Sequence, residues 1–186
     1  MLGTKLYKGQ YTNKEYADLA VWCNQAGNLT IEDKGEYYEC VAIPGPSLDE
    51  LKKVKWDEVN AWTATKITGG FVSTCYNGES ILYDTDTDTQ ITMQFAKNCC
   101  DSERFAEELP DGLEVRGYEQ VDVDEDGTLV FSKDKTIYYF SPVQIKTWNE
   151  DFALFLRECK KQGWMKQAEV AACTTIEELE EIDLDW

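Results

Sequence analysis

The sequence predicts an α+β fold in which small antiparallel hairpins and a meander pack against amphipathic helices, with a small N-terminal α+β module in front. Three observations predict it. Capping boxes of the form Ser/Thr-x-x-Glu/Gln open helices at Thr12, Ser47, Ser141 and Thr175. Short runs rich in aromatic and β-branched residues flank turn sequences, among them Tyr76-Asn77-Gly78, whose Asn-Gly is a strong hairpin signal. The apolar period alternates along the chain between that of a helix and that of a strand.

Residues 1–46 read as the small module. A strand around Lys5 to Lys8 and a turn at Gly9 precede a helix opened by Thr12 and Glu15, with Tyr16, Leu19, Ala20 and Cys23 at helical spacing and Gly27 as its stop. Leu29 to Ile31 and Tyr37 to Ile43 flank Asp33-Lys34-Gly35 as a hairpin, and Pro44-Gly45-Pro46 closes the module.

Residues 47–186 read as the second domain. A helix runs from Ser47 to about Thr68, with Leu48, Leu51, Val54, Val59 and Trp62 on its apolar side, and Gly69-Gly70 breaks it. Phe71 to Cys75 and Ser80 to Tyr83 form a second hairpin. A helix from Asp88 to Cys100 is expected to bury the stripe Ile91, Phe95 and Cys99, and Glu103 to Leu109 adds a turn or two before Pro110-Asp111-Gly112. Leu113 to Tyr118, Thr128 to Phe131 and Lys135 to Phe140 suggest a three-stranded meander. Ser141-Pro142-Val143-Gln144 combines an N-cap, a first-turn proline and a third-position glutamine, a strong helix start. Trp148, Phe152, Phe155, Leu156 and Cys159 form its apolar stripe, and Lys160-Lys161-Gln162-Gly163 reads as its end. Trp164 to Ala172 continues as a last helical portion, and Thr175 opens a short acidic helix ending near Trp186.

Composition narrows the chemistry. The 186 residues contain no histidine, which removes the commonest general base, the Ser-His-Asp and Cys-His pairings and the commonest transition-metal ligand. Seven cysteines, none spaced as Cys-x-x-Cys, suit reduced thiols acting as small hydrophobes; Cys99 and Cys100 are adjacent and cannot easily bridge each other. The net charge of −18 is spread along the chain, repels nucleic acid and favours association with basic surfaces. Apolar runs such as Leu19 to Cys23 fall far short of the roughly 20 residues of a membrane span, and the N-terminus lacks a secretory pattern, so the chain is expected to stay in the cytoplasm where it is made.

Two acidic stretches invite chemistry. Asp122, Asp124 and Asp126, followed by Gly127, match the opening of an EF-hand loop and are the candidate Ca2+ ligands. Lys133 stands where the closing glutamate belongs and the flanks read as strands, so a turn with its acids in water is the favoured reading. Asp84, Asp86 and Asp88 alternate in the same way between a hairpin and a helix, where capping accounts for them better than an acid and base pair of Asp84 with Asp86. Gly69-Gly70 lacks the pattern of a phosphate loop. No cofactor is expected.

Gly69-Gly70-Phe71, then Tyr76-Asn77-Gly78, then Ile81-Leu82-Tyr83-Asp84-Thr85-Asp86 with Gln90-Ile91 after it, together with the closing stretch from Gln167 to Leu179, resemble a domain of unknown function found in bacteriophage tail-fibre and tail-assembly genes. The resemblance begins at about residue 50 and rests on short motifs, and the region Leu113 to Phe140 is longer than the pattern. It carries no catalytic residues. It implies a non-enzymatic virion tail protein near the fibre or baseplate that works by protein-protein contacts with tail or fibre proteins, with homo-oligomerisation also expected. A fibre-assembly chaperone not retained in the virion, and an acidic nucleic-acid mimic that blocks a host defence protein, are the alternatives.

Overall fold

The structure, a computed structural model, describes residues 2–184 and divides between Glu50 and Leu51 into two compact units. The first contains β1 (Lys5–Tyr7), α1 (Asn13–Ala26), β2 (Leu29–Asp33) and β3 (Tyr37–Ala42), with the strands in antiparallel order β1-β3-β2. Thr12 Oγ1 accepts from the Glu15 amide at 3.2 Å while the Glu15 carboxylate accepts from the Thr12 amide at 2.7 Å, so two helix-start donors are satisfied reciprocally. Leu19 and Cys23 on α1 bury themselves against Cys40 on β3, with Leu6, Trp22, Leu29 and Ile31 packed around them. Tyr11, Tyr16 and Tyr38 meet at ring-centroid separations of 5.2–5.9 Å beside this core.

The remaining elements are α2 (Leu48–Thr68), whose first turn belongs to the first unit, then β4 (Phe71–Ser73), β5 (Ile81–Tyr83), α3 (Thr87–Cys99), α4 (Glu103–Glu108), β6 (Leu113–Val123), β7 (Leu129–Phe131), β8 (Thr136–Phe140), α5 (Pro142–Ala172) and α6 (Ile176–Glu180). The α+β class expected from sequence is the observed one. β4 pairs with β5 and β5 with β6, all antiparallel. Between β4 and β5 the Asn-Gly turn forms as expected, with Asn77 and Gly78 both at positive φ and the Glu79 amide bonded to the Tyr76 carbonyl at 3.0 Å. It sits inside a longer loop, because the strands stop at Ser73 and resume at Ile81.

The meander is corrected. β7 and β8 do not pair with each other in sequence order; both pair with the eleven-residue β6, β8 along Leu113 to Gly117 and β7 along Gln120 to Val123. The Ser132 amide still bonds the Glu119 carbonyl at 2.8 Å, and the Ser132 hydroxyl bonds the Asp134 carbonyl at 2.7 Å. Those bonds hold the chain in the bend that separates the two short strands.

The stripe expected on α3 is also corrected. Its buried face is Met93, Ala96 and, just past its end, Cys100, whereas Ile91, Phe95 and Cys99 are exposed. Alanine and cysteine are small enough to let α3 approach α5 closely, and Phe95 on that face would hold the two helices apart. Val54 of α2 likewise faces solvent, and Val59 carries that helix's buried position.

The third correction concerns Gly163. The sequence reads it as a helix stop, yet α5 runs through it without a break for 31 residues. α2 and α5 run antiparallel: the Lys52 ammonium donates to the Ala171 carbonyl at 3.0 Å, and the Gln167 amide donates to Asn60 Oδ1 at 2.8 Å. One turn beyond the second of those contacts a Cβ on Gly163 would meet Thr63 Oγ1 at 2.5 Å. The glycine is there for close approach, not for chain reversal. Downstream, α6 is opened by Thr175 and Glu178 as expected, but it ends at Glu180, where Glu180, Glu181 and Asp183 put negative charge at the negative end of the helix. Trp186, the expected end, lies outside the described residues.

Around the sheet and α5 lies the main core: Phe71, Ile81, Tyr83, Met93, Val115, Tyr138, Phe140, Ile145 and Trp148 are all buried. Its aromatic members meet edge to face, Trp148 standing 5.4 Å from Tyr83 and 5.5 Å from Phe140.

Two predictions follow from these helices. Gly163→Ala gains up to about 1 kcal/mol of helix propensity but forces an overlap that costs about 1–3 kcal/mol, so a net loss of up to about 2 kcal/mol in urea unfolding is expected. Adding Thr63→Ala to that variant restores the lost stability. The carboxyls of Glu15, Glu50 and Glu178 are held below the usual range by backbone amide hydrogen bonds at their caps. Their contribution is present above the unfolded value of 4.5 and is lost as pH falls through the lower folded values. The thermal midpoint is therefore expected to fall below pH 4.5, with a shallower fall when all three are replaced by glutamine.

Candidate functional site

The segment after β5 separates three alternating carboxylates into three roles. Asp84 is ion-paired to Lys135, and that hydrogen bond holds the lysine above its usual range while its ammonium lies 5.2 Å from the Tyr118 ring centroid. Asp86 is the N-cap of α3, its Oδ1 accepting from the Thr89 amide at 2.8 Å, and those bonds hold its carboxyl below the usual range. Asp88, in the first turn of α3, faces a groove. Asp84 and Asp86 are thus each engaged separately, and the acid and base pair considered from sequence is not formed by them.

Thr85, between them, is fully buried. Its hydroxyl donates to the Ile67 carbonyl at the end of α2 and accepts from the Gly70 amide at 2.9 Å, while its own carbonyl accepts from Gln90 Nε2 at 2.7 Å. Gly70 has φ +97°, and a Cβ there would meet the Tyr83 carbonyl at 2.9 Å, so this crossing accepts only glycine.

The groove beside this anchor encloses about 260 Å³. Asp88, Thr89 and Thr92 of α3 form one wall, Glu114 and Arg116 of β6 another, and the Asp84–Lys135 ion pair its end. Tyr83, Leu113, Val115 and Trp148 supply apolar surface beneath. Beneath that surface the Trp148 Nε1 and the Tyr83 hydroxyl are buried with no hydrogen-bond partner among the described residues. Each polar group left in that state costs about 1–3 kcal/mol. The groove thus combines a largely apolar floor with a rim carrying both charge signs.

A second polar cluster lies within the same unit. The Ser73 hydroxyl donates to Asp151 Oδ2 and accepts from the Cys75 amide at 3.1 Å. Burial pushes the Cys75 thiol up, whereas a nucleophilic cysteine needs a lowered value. Tyr138, nearby across the Tyr76 ring, is pushed up to about 12 by burial first and then by Glu119. These shifts hold protons on their groups.

Asp122, Asp124 and Asp126 surround the β6–β7 turn. Asp124 Oδ1 accepts from the Asp126 and Thr128 amides at 3.0 and 2.7 Å, and Asp122 lies in β6 opposite Val130. Among the described residues, no group of three or more carboxylate or thiol side chains is gathered where it could hold a metal ion. The Asp124 bonds are those of a turn in which the side chain replaces a backbone acceptor.

Sequence reasoning reached Asp84, Asp86 and Asp88 but not their neighbours. Arg116 carried no pattern, Lys135 read as a strand start and Trp148 as part of a core stripe. The last reading is right as far as it goes, since period alone does not tell that the ring's edge borders a groove.

Thr85→Val is expected to strand the Gly70 amide and the Ile67 carbonyl at a cost of about 1–3 kcal/mol each, seen in denaturant unfolding, while Thr85→Ser keeps most of the stability. No family model matches the chain, and no curated protein or solved structure does either.

Proposed function

We propose that this chain is a non-enzymatic bacteriophage tail protein, associated with the fibre or baseplate, that acts by holding protein partners. The observation that carries the binding part of this reading is the groove beside α3, where an apolar floor of Leu113, Val115 and the Tyr83 and Trp148 rings lies between walls carrying both charge signs. At about 260 Å³ it is smaller than the roughly 300–1,000 Å³ of a typical small-molecule pocket. That size suits one side chain or a short peptide turn. Asp88 and Arg116, both exposed, offer charges of either sign to orient it. The tail setting is supported by the likeness of the Gly69 to Ile91 and Gln167 to Leu179 segments to tail-gene domains; the first of these contributes Tyr83, Asp84 and Asp88 to the groove.

The test uses purified particles. Mass spectrometry is expected to find the chain in stoichiometric amount, and the paired variant Asp88→Arg with Arg116→Glu, which alters exposed residues alone, is expected to lower its retention at least tenfold. Abundant protein in infected cells with none in particles would move the reading to an assembly chaperone. Salt-sensitive binding to a basic nuclease in place of tail proteins would move it to an acidic decoy.

A further inference from the structure

The first unit buries three hydrophobic residues as its core, Leu19, Cys23 and Cys40, and two of the three are cysteines. Cys23 lies on α1 and Cys40 on β3, separated by 17 positions in sequence, yet their Sγ atoms are 3.3 Å apart in the interior. They are the two cysteines of residues 1–50, and the other five lie beyond. A disulfide brings its sulfurs to about 2.05 Å, so closing the bond requires about 1.2 Å of movement shared by two side chains. A unit of about fifty residues is short of core, and small domains of that size commonly depend on a covalent staple.

We propose that Cys23 and Cys40 are a redox modification site, a dithiol that a low-molecular-weight disulfide converts into an intramolecular disulfide joining α1 to β3. One cysteine, as thiolate, attacks the reagent disulfide and releases one reagent thiol, leaving a mixed disulfide. The other attacks the protein-side sulfur and releases the second. The two protein protons end on two reagent thiols, and the two electrons that the protein gives up reduce the reagent. Burial, then the hydrogen bond to Cys40, holds the Cys23 thiol above its usual range, so the first attack runs through transient opening of the unit. Once formed, the bond cross-links the centre of the core and limits that opening.

The experiment equilibrates the full chain with oxidised and reduced glutathione, quenches in acid, alkylates free thiols and digests with trypsin without reduction. Cleavage after Lys14, Lys34 and Lys52 places Cys23 in peptide 15–34 and Cys40 in peptide 35–52. The expected product is those two peptides joined, from monomeric protein, at glutathione ratios where exposed Cys99 carries glutathione. Amide exchange through residues 15–42 is expected to slow by roughly a hundredfold in the oxidised chain. Cys40→Ala is expected to lose both effects while Cys99 still reacts. Recovery of Cys23 and Cys40 as free thiols while Cys99 is modified, or their joining to cysteines of the second unit, overturns the site. Linkage with unchanged amide exchange overturns the staple.

Discussion

The second unit depends on a single buried hydroxyl. Thr85 reaches back to the end of α2 and across to the Gly70 amide, and its carbonyl receives the Gln90 side chain from α3. Four elements therefore share one anchor: α2 ends there, β4 begins, β5 has just finished and α3 is about to start. Without the hydroxyl, the Ile67 carbonyl and the Gly70 amide would lose this partner in a part-buried place, where an unpaired backbone group is costly. The anchor also places the acids on either side of Thr85. With Thr85 turned inward, Asp84 is free to reach Lys135 and Asp86 to cap α3, and the first turn of that helix is set at the groove's wall.

Charge shapes the surface more than it holds the fold. The ion pairs, such as Lys146 with Asp101 at 2.7 Å and Lys8 with Asp33 at 2.8 Å, lie between exposed side chains, where such pairs contribute little. With 36 acidic residues against 18 basic ones, one-to-one pairing would leave half of the carboxylates without a cation. Some are used on backbone amides instead, at the starts of α1, α2, α3 and α6, where helix geometry supplies partial positive charge. An acidic chain with few cations thus turns its own helix ends into counter-charges.

Much of the fold was legible in the sequence because its signals are local. A capping box spans four residues and an Asn-Gly turn spans two, so the starts of α1, α2, α5 and α6 and the tight turn at Asn77 follow from short-range chemistry. What escaped depends on partners far away along the chain. Gly163 has the local appearance of a stop, and only Thr63, a hundred positions earlier, makes it a packing residue. Ile91, Phe95 and Cys99 form a regular stripe, but the face of a helix that turns inward is set by the neighbour's shape, and here small Ala96 and Cys100 fit it. β6 read as a strand ending at Tyr118 because the polar residues after it break the apolar pattern. Gly117 is needed within it, since a Cβ would meet Ile81 Cγ2 at 2.5 Å. The groove was half legible: its acidic rim announced itself, whereas the pairing of Asp84 with Lys135 joins residues 51 positions apart.

The position of Trp148 has an optical consequence. Its indole is buried and stands edge-on to Tyr83 and Phe140, in a fixed asymmetric surrounding, while Trp56 and Trp164 are exposed to solvent. Rigid aromatic packing of this kind gives near-ultraviolet circular dichroism that vanishes when side-chain order is lost, even where helices persist. Because the same ring borders the groove, its spectrum reports two things at once, the order of the core and the polarity of the groove beside it. The molecule carries its own chromophore where the core meets the groove.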